Sequence, residues 1–146
     1  MKKTNGFTLI ELLISISIIA ILSIVLSVSF SNAQKNGRDQ RRISDLKAIQ
    51  NAAEQYYLMN NSSYPTSTNI AWTGPGGQQI LQKFPSGPKT GETYTRVTLT
   101  ASSYCFCSSM EKPKNGNNEN LGCTVYNPTN CLTGMASCYF CVGNQQ

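Results

Sequence analysis

From Phe7 to Phe30 the chain runs 24 residues with a single ionisable side chain, Glu11. As an α-helix rising 1.5 Å per residue this stretch is about 36 Å long, enough to cross a hydrocarbon core of about 30 Å. An ordinary export signal has an apolar core of about 7–15 residues with a small-residue cleavage site on its far side. Here the far side reads Ser27-Val28-Ser29, without the A-x-A form, and the small residue, Gly6, stands before the run, just behind Lys2 and Lys3. A cut after Gly6 removes a basic leader and leaves the whole apolar helix on the protein.

Glu11 needs a reason to be where it is. An ionised carboxylate inside a bilayer costs a few kcal/mol on insertion scales, which makes an intramembrane acid a functional candidate. Two readings stand side by side. After a cut at Gly6, the new amine of Phe7 lies one helical turn away, so that amine, or a neighbouring subunit's, pairs with the carboxylate. Alternatively Glu11 sits at headgroup level, where the dipole at a helix N-terminus favours an acid.

Of the 146 residues, 116 lie beyond residue 30, room for one small domain whose modest core benefits from staples. The net charge of +5 falls to about +3 once the two leader lysines go, a mildly basic balance that reads as a solvated face and not a nucleic-acid footprint. All six cysteines, Cys105, Cys107, Cys123, Cys131, Cys138 and Cys141, lie in the last third of the chain. An even, concentrated set fits a disulfide framework in an oxidising compartment. Lys2 and Lys3 favour a cytoplasmic N-terminus; Lys35, Arg38, Arg41 and Arg42 oppose that rule, and the cysteines settle the orientation as N-in, C-out.

Past Ser31 the sequence turns polar, yet Ile43, Leu46, Ile49, Ala53 and Tyr56/Tyr57 keep a three-to-four residue spacing. The spacing predicts one nearly continuous helix from Phe7 to Met59, weakest at Asn36-Gly37. Asp39 with Arg42 and Arg41 with Asp45 are read as small surface supports. Asn60-Asn61-Ser62-Ser63-Tyr64-Pro65 ends the helix, and Asn60 and Asn61 each begin a glycosylation-type triplet. A loop-rich stretch comes next, with a helical turn expected at Gln78–Lys83. Thr93–Ala101 reads as a half-buried strand with Tyr94, Arg96 and Thr98 opposite Thr95, Val97 and Leu99. Ser103–Ser109 reads likewise, Tyr104 and Phe106 on one face, Cys105 and Cys107 on the other. Lys112–Gly122 is a polar loop, and short strands are expected near Thr124–Tyr126 and Ser137–Val142.

The chain has no histidine, and no aspartate after Asp45. That removes Ser-His-Asp and Cys-His nucleophiles and His-bearing metal sites, so no enzyme and no cofactor is expected. Glu92, Glu111 and Glu119 are read as loop residues without a partnering pattern. Cys105-x-Cys107 with Cys138-x-x-Cys141 is a conceivable four-thiolate zinc set, but disulfides are preferred and no metal is expected. Six cysteines allow fifteen pairings. Cys105 and Cys107, nearly 7 Å apart along one strand face, are expected to reach Cys123, Cys131 or the Cys138/Cys141 pair instead of each other. The aromatic residues Tyr56, Tyr57, Tyr64, Trp72 and Tyr94 are expected mostly at the boundary between helix and sheet.

Gly6, then Phe7-Thr8-Leu9-Ile10-Glu11 and Leu12-Leu13, resembles the processing site of type IV prepilins and the related pseudopilins. The resemblance implies that a prepilin peptidase cuts between Gly6 and Phe7 and methylates Phe7, and that Glu11 recruits the subunit to a growing filament. Gly37-Arg38-Asp39 through Tyr56-Tyr57 and Tyr64-Pro65 is similar to the main pseudopilin of type II secretion. Two departures stand out: Val28, between two serines, occupies the neighbourhood where many members carry a proline, and the head lacks the aspartates with which the main secretion pseudopilins bind calcium.

The fold expected is therefore α+β: a leader over 1–6, a filament-core and membrane helix over 7–30, an amphipathic continuation over 31–60, and a disulfide-stapled, loop-rich head over 61–146 carrying a small antiparallel sheet. The function expected is that of a structural subunit of a type IV pilus-like filament. Its partners are further copies of itself, the prepilin peptidase, an inner-membrane assembly platform and the membrane, with nucleic acid a partner only in DNA uptake. It is placed in the inner membrane before assembly, then in a surface or periplasm-spanning filament. The alternatives are a pseudopilin of a secretion or competence system, and a membrane-tethered binding module in which residues 7–30 only anchor.

Overall fold

A computed structural model describes residues 6–118, 121–123 and 138–144, and of residues 25–28 the backbone only. The leader lysines, Glu119, Cys131 and the strand expected near Thr124–Tyr126 lie outside these residues. The chain divides into two compact units, Met1–Lys35 and Asn36–Gln146.

In the first unit the backbone enters helix α1 (Leu9–Met59) at Leu9, two residues later than the spacing suggested, because Thr8 acts as its N-cap. Every large apolar side chain from Leu9 to Ile24 is more than half exposed. The serines among them do not present hydroxyl donors outward: Ser15 donates to the Glu11 carbonyl at 2.7 Å, Ser17 to Ile14 at 2.7 Å and Ser23 to Ile19 at 2.8 Å. Bonding back to their own helix leaves a cylinder with an apolar surface. It is long and apolar enough to cross a membrane.

In the second unit α1 supplies Leu46, Ile49, Ala52 and Ala53 to a core completed by Tyr64, Trp72, Tyr94, Tyr104, Phe106 and Val142. The helix ends as expected: Ser62 N–H donates to the Tyr57 carbonyl at 3.1 Å, with Asn61 at φ 52°, a left-handed cap of the kind asparagine tolerates. The helical turn expected at Gln78–Lys83 is instead strand β2 (Gln79–Leu81), paired antiparallel with β1 (Trp72–Thr73). Gly76 and Gly77, at φ 78° and 80°, fold the chain back between the two, and only glycine enters that region freely.

The main sheet is an antiparallel meander of β3 (Thr95–Leu99), β4 (Tyr104–Met110) and β5 (Cys138–Gly143). The alternation expected in β3 does not hold, since a bulge between Arg96 and Thr98 takes Val97 out of register and leaves Thr95, Arg96 and Val97 all exposed. β4 behaves as read: Tyr104 and Phe106 enter the helix-facing core, while Cys105 and Cys107 join Cys141 in a small cluster of their own.

Candidate functional site: the assembly segment and the head anchor

Gly6 and Phe7 are exposed, and among the described residues a Cβ added to Gly6 would meet nothing within 4 Å. Glu11, the third helical residue, folds back on the cap. Its Oε2 accepts from Thr8 N–H at 2.9 Å and from the Thr8 hydroxyl at 2.7 Å, while Glu11 N–H donates to Thr8 Oγ1 at 3.4 Å. This is a reciprocal capping box, and its signature, Thr8-x-x-Glu11, stood in the sequence unread. Both bonds use Oε2; Oε1 accepts no hydrogen bond among the described residues. The carboxylate is thus oriented on one side and available on the other.

The head holds a second constellation. Asp39 is 0% and Arg42 2% exposed, so their ion pair at 2.8 Å is not the surface support the sequence suggested. Positions 39, 42, 46, 49 and 53 form one helical stripe, and its first two members are charged because loops of the head cover them. Arg42 donates from Nε and Nη2 to the two carboxylate oxygens of Glu92 (2.6 and 3.0 Å) and from Nη1 to Glu111 (3.1 Å). Arg38 clasps Glu111 with two further bonds of 2.7 Å, and Lys89 lies 3.3 Å from the same carboxylate. Asp39 accepts from the backbone N–H groups of Glu111 and Lys112 and from the Asn115 amide, all within 2.9 Å. Glu92 and Glu111, read as unpartnered loop acids, are therefore the anchors of both loops. The signal that could have found them was Asp39 and Arg42 in register with Leu46 and Ile49.

Three cations face three acids, so the desolvation that normally makes buried charge unfavourable is offset by charge-assisted bonds. Hydrogen bonds from Arg38, against the opposing effect of burial, hold the Glu111 carboxyl far below its usual range; Arg42 lowers Glu92 in the same way. Burial by itself would lower the Arg42 pKa, but Glu92 and Glu111 outweigh it and raise it. A Cβ on Gly87 would stand 2.5 Å from Glu92 Cγ, so this turn has room for Glu92 only because residue 87 is glycine. Further along, Glu54 accepts from the Tyr104 (2.8 Å) and Tyr64 (3.0 Å) hydroxyls, and Asp45 from Tyr94 at 2.6 Å. Past Glu11, the acids Asp39, Asp45 and Glu54 of α1 are each spent on a tie to the head.

Cys105 is bonded to Cys123, and Cys107 to Cys141, its direct cross-strand partner. The sulfurs of Cys105, Cys107 and Cys123 lie within 4.8 Å of one another, yet as disulfide sulfurs they are not thiolate ligands, and the Cys105/Cys107/Cys138/Cys141 set is not assembled. Cys138 is buried. A 460 Å³ cavity beside these bonds is lined by Lys47, Gln50, Asn117, Asn118 and Phe140. Its amides are committed to the backbone of Gly143, Cys141 and Gly122.

Comparison with known proteins adds a prokaryotic N-terminal methylation motif matching residues 1–27. Over 106 residues the chain is 37% identical to the type IV wide pilus major component of Thermus thermophilus, covering 73% of each chain. The chain belongs to the type IV pilin and pseudopilin family. It is also 35% identical over 95 residues to the type II secretion system core protein G of Klebsiella pneumoniae, covering 64% of this chain and 61% of that one. The Escherichia coli core protein G is 29% identical over 94 residues, 64% and 59% of the two chains. This pilin-like chain thus spans about three fifths of the core G proteins. No solved structure matches it. Family membership makes it a filament subunit with a membrane-anchoring N-terminal helix, of the kind that a prepilin peptidase processes.

Proposed function

We propose that this pilin is a structural subunit of a type IV pilus-like filament, cut between Gly6 and Phe7, methylated on Phe7 and polymerised through residues 7–30. The observation that carries the reading is the apolar surface from Leu12 to Ile24, which has no covering partner within the described residues. In a membrane that surface contacts lipid; in a fibre it contacts identical helices, so leaving the bilayer loses little free energy. A heterologous, head-to-tail contact of this kind propagates as an open helical polymer. Glu11, with Oε1 unengaged, supplies the register by pairing with the Phe7 amine of the next subunit. The division into leader 1–6, core helix 7–30, amphipathic helix 31–60 and head 61–146 belongs to this reading, as do an inner-membrane location with the head outside and an assembly platform as partner.

Similarity to the core G proteins favours a second reading, a pseudopilin of a secretion system. Electron microscopy of sheared cell surfaces separates the two: long fibres support the pilus, and periplasm-limited material supports the pseudopilin. The shared core of both readings is tested by Glu11→Leu. Processed subunit beginning at methylated Phe7 is expected at wild-type abundance by mass spectrometry, with few or no fibres. Wild-type fibre yield would leave Glu11 as a helix cap alone, and an intact Met1 terminus in assembled material would remove the cleavage step.

A further inference from the structure

Two overlapping triplets, Asn60-Asn61-Ser62 and Asn61-Ser62-Ser63, have the Asn-x-Ser form of an N-glycan acceptor, with no proline in the middle of either. The fold tells them apart. Asn60 is half-buried and its Nδ2 donates to the Tyr56 carbonyl at 3.0 Å, so the nitrogen that would carry a sugar is already engaged. Asn61 is exposed, and its side-chain amide makes no hydrogen bond among the described residues. The Ser63 hydroxyl, two residues on, is likewise unengaged among them.

The backbone here is a tight, exposed turn just past the end of α1. Asn61 and Ser62 stand at φ 52° and 56°, and non-glycine residues reach that region only at a steric cost. The turn is tied by the N–H groups of Ser62 and Ser63, which donate at 3.1 Å to the carbonyls of Tyr57 and Asn60. The core resumes only at Tyr64, which is 2% exposed, so a large polar group on Asn61 displaces nothing that is packed. We propose that Asn61 is the acceptor for an N-linked glycan, with Ser63 as the hydroxyl that its transferase reads, and that Asn60 is not an acceptor. The inference rests on the reading that the head lies outside the inner membrane. In the transfer, Asn61 Nδ2 bonds to the anomeric carbon of an oligosaccharide carried on a polyprenyl diphosphate. The bond from that carbon to the diphosphate oxygen breaks, the lipid diphosphate leaves with the electron pair, and the amide gives up one proton to the transferase. The product carries a bulky, solubilising group at a surface turn.

The test is glycopeptide mapping of the mature protein from its own cells, on the tryptic span 48–83 that holds both triplets. Fragmentation that keeps the sugar on its residue should place it on Asn61. Asn61→Gln and Ser63→Ala should lose the glycan, and Ser63→Thr should keep it. Ser62→Ala, which destroys only the Asn60 triplet, should keep it too. Trp72 fluorescence like the parent's shows that each head is folded. A bare Asn61 in protein that begins at Phe7 and carries its disulfides overturns the acceptor and leaves the export reading standing. A sugar on Asn60, or on a nearby hydroxyl such as that of Thr66, overturns the assignment as well. Protein that keeps Met1 and has its cysteines reduced overturns the export reading, and the acceptor with it.

Discussion

Along α1, Ile14, Ile16 and Ile18 stand more than half exposed, whereas Asp39 and Arg42, on the same helix, are almost fully buried. Side-chain polarity would assign the two stretches the other way round. What differs is the partner each was built for. The large apolar side chains of residues 9–24 are exposed among the described residues of their unit and await lipid or other helices. Residues 39–53 meet a sheet and two loops of the head, which bring Glu92 and Glu111 to the arginines and leave no buried side-chain polar atom without a hydrogen bond among the described residues. A buried charge is tolerated here because its partners are complete, and an exposed apolar surface because its partner is another molecule.

The head should be breakable without touching the apolar half, and the largest effect should come from its staples. Reducing Cys105–Cys123 and Cys107–Cys141 should cost about 2–5 kcal/mol each. Denaturation of the vesicle-bound protein followed by Trp72 fluorescence should show the head unfolding at much lower denaturant, while flotation with vesicles persists. Loss of flotation on reduction would mean that the two units are not independent.

Arg42→Leu comes next. It strands Asp39 and one carboxylate without their cation, and about 3–5 kcal/mol of head stability should be lost. In the same assay Ile18→Ala, a change in the exposed half, should leave the head's midpoint where it was. An Arg42→Leu head as stable as the parent would show that Arg38 and Lys89 suffice.

Acid should act on the same cluster. Glu92 and Glu111 have folded pKa values below the ordinary 4.5, so they bind fewer protons folded than unfolded. Their contribution is present above that ordinary value and drains as pH falls below 4.5 toward the depressed folded values. Head stability measured by titration should thus decline below that point in the parent and decline less in Glu92→Gln. At the other end, burial and the Glu54 bond push the Tyr64 hydroxyl up to about 12. The folded state then holds a proton that the unfolded state has lost, and stability should fall as pH climbs from 10 to that value.

The smallest effect sharpens the contrast within one turn of helix. Arg41, 66% exposed and 3.9 Å from Asp45, makes the kind of pair the sequence also suggested for Arg42. Arg41→Ala should change head stability by no more than about 0.5 kcal/mol, a direct measure of what burial adds to the neighbouring arginine.

Whatever depends on neighbours along the chain is legible without the fold. The apolar run, the small residue ahead of it, the helix to Met59 and its stop, the two faces of Tyr104-Cys105-Phe106-Cys107 and the presence of disulfides all come from spacing or composition. Even the Thr8–Glu11 capping box was legible, its two residues standing only three apart. The rest comes from contacts between distant parts of the chain. Cys107–Cys141 depends on β5 lying beside β4, Cys105–Cys123 on Cys123 lying against the end of β5, and Val97's bulge on how β3 meets β4. Arg42 finds Glu92 fifty residues away and Glu111 sixty-nine away. No local pattern encodes such partners, because a charge is read from sequence as solvated until the fold removes the water around it.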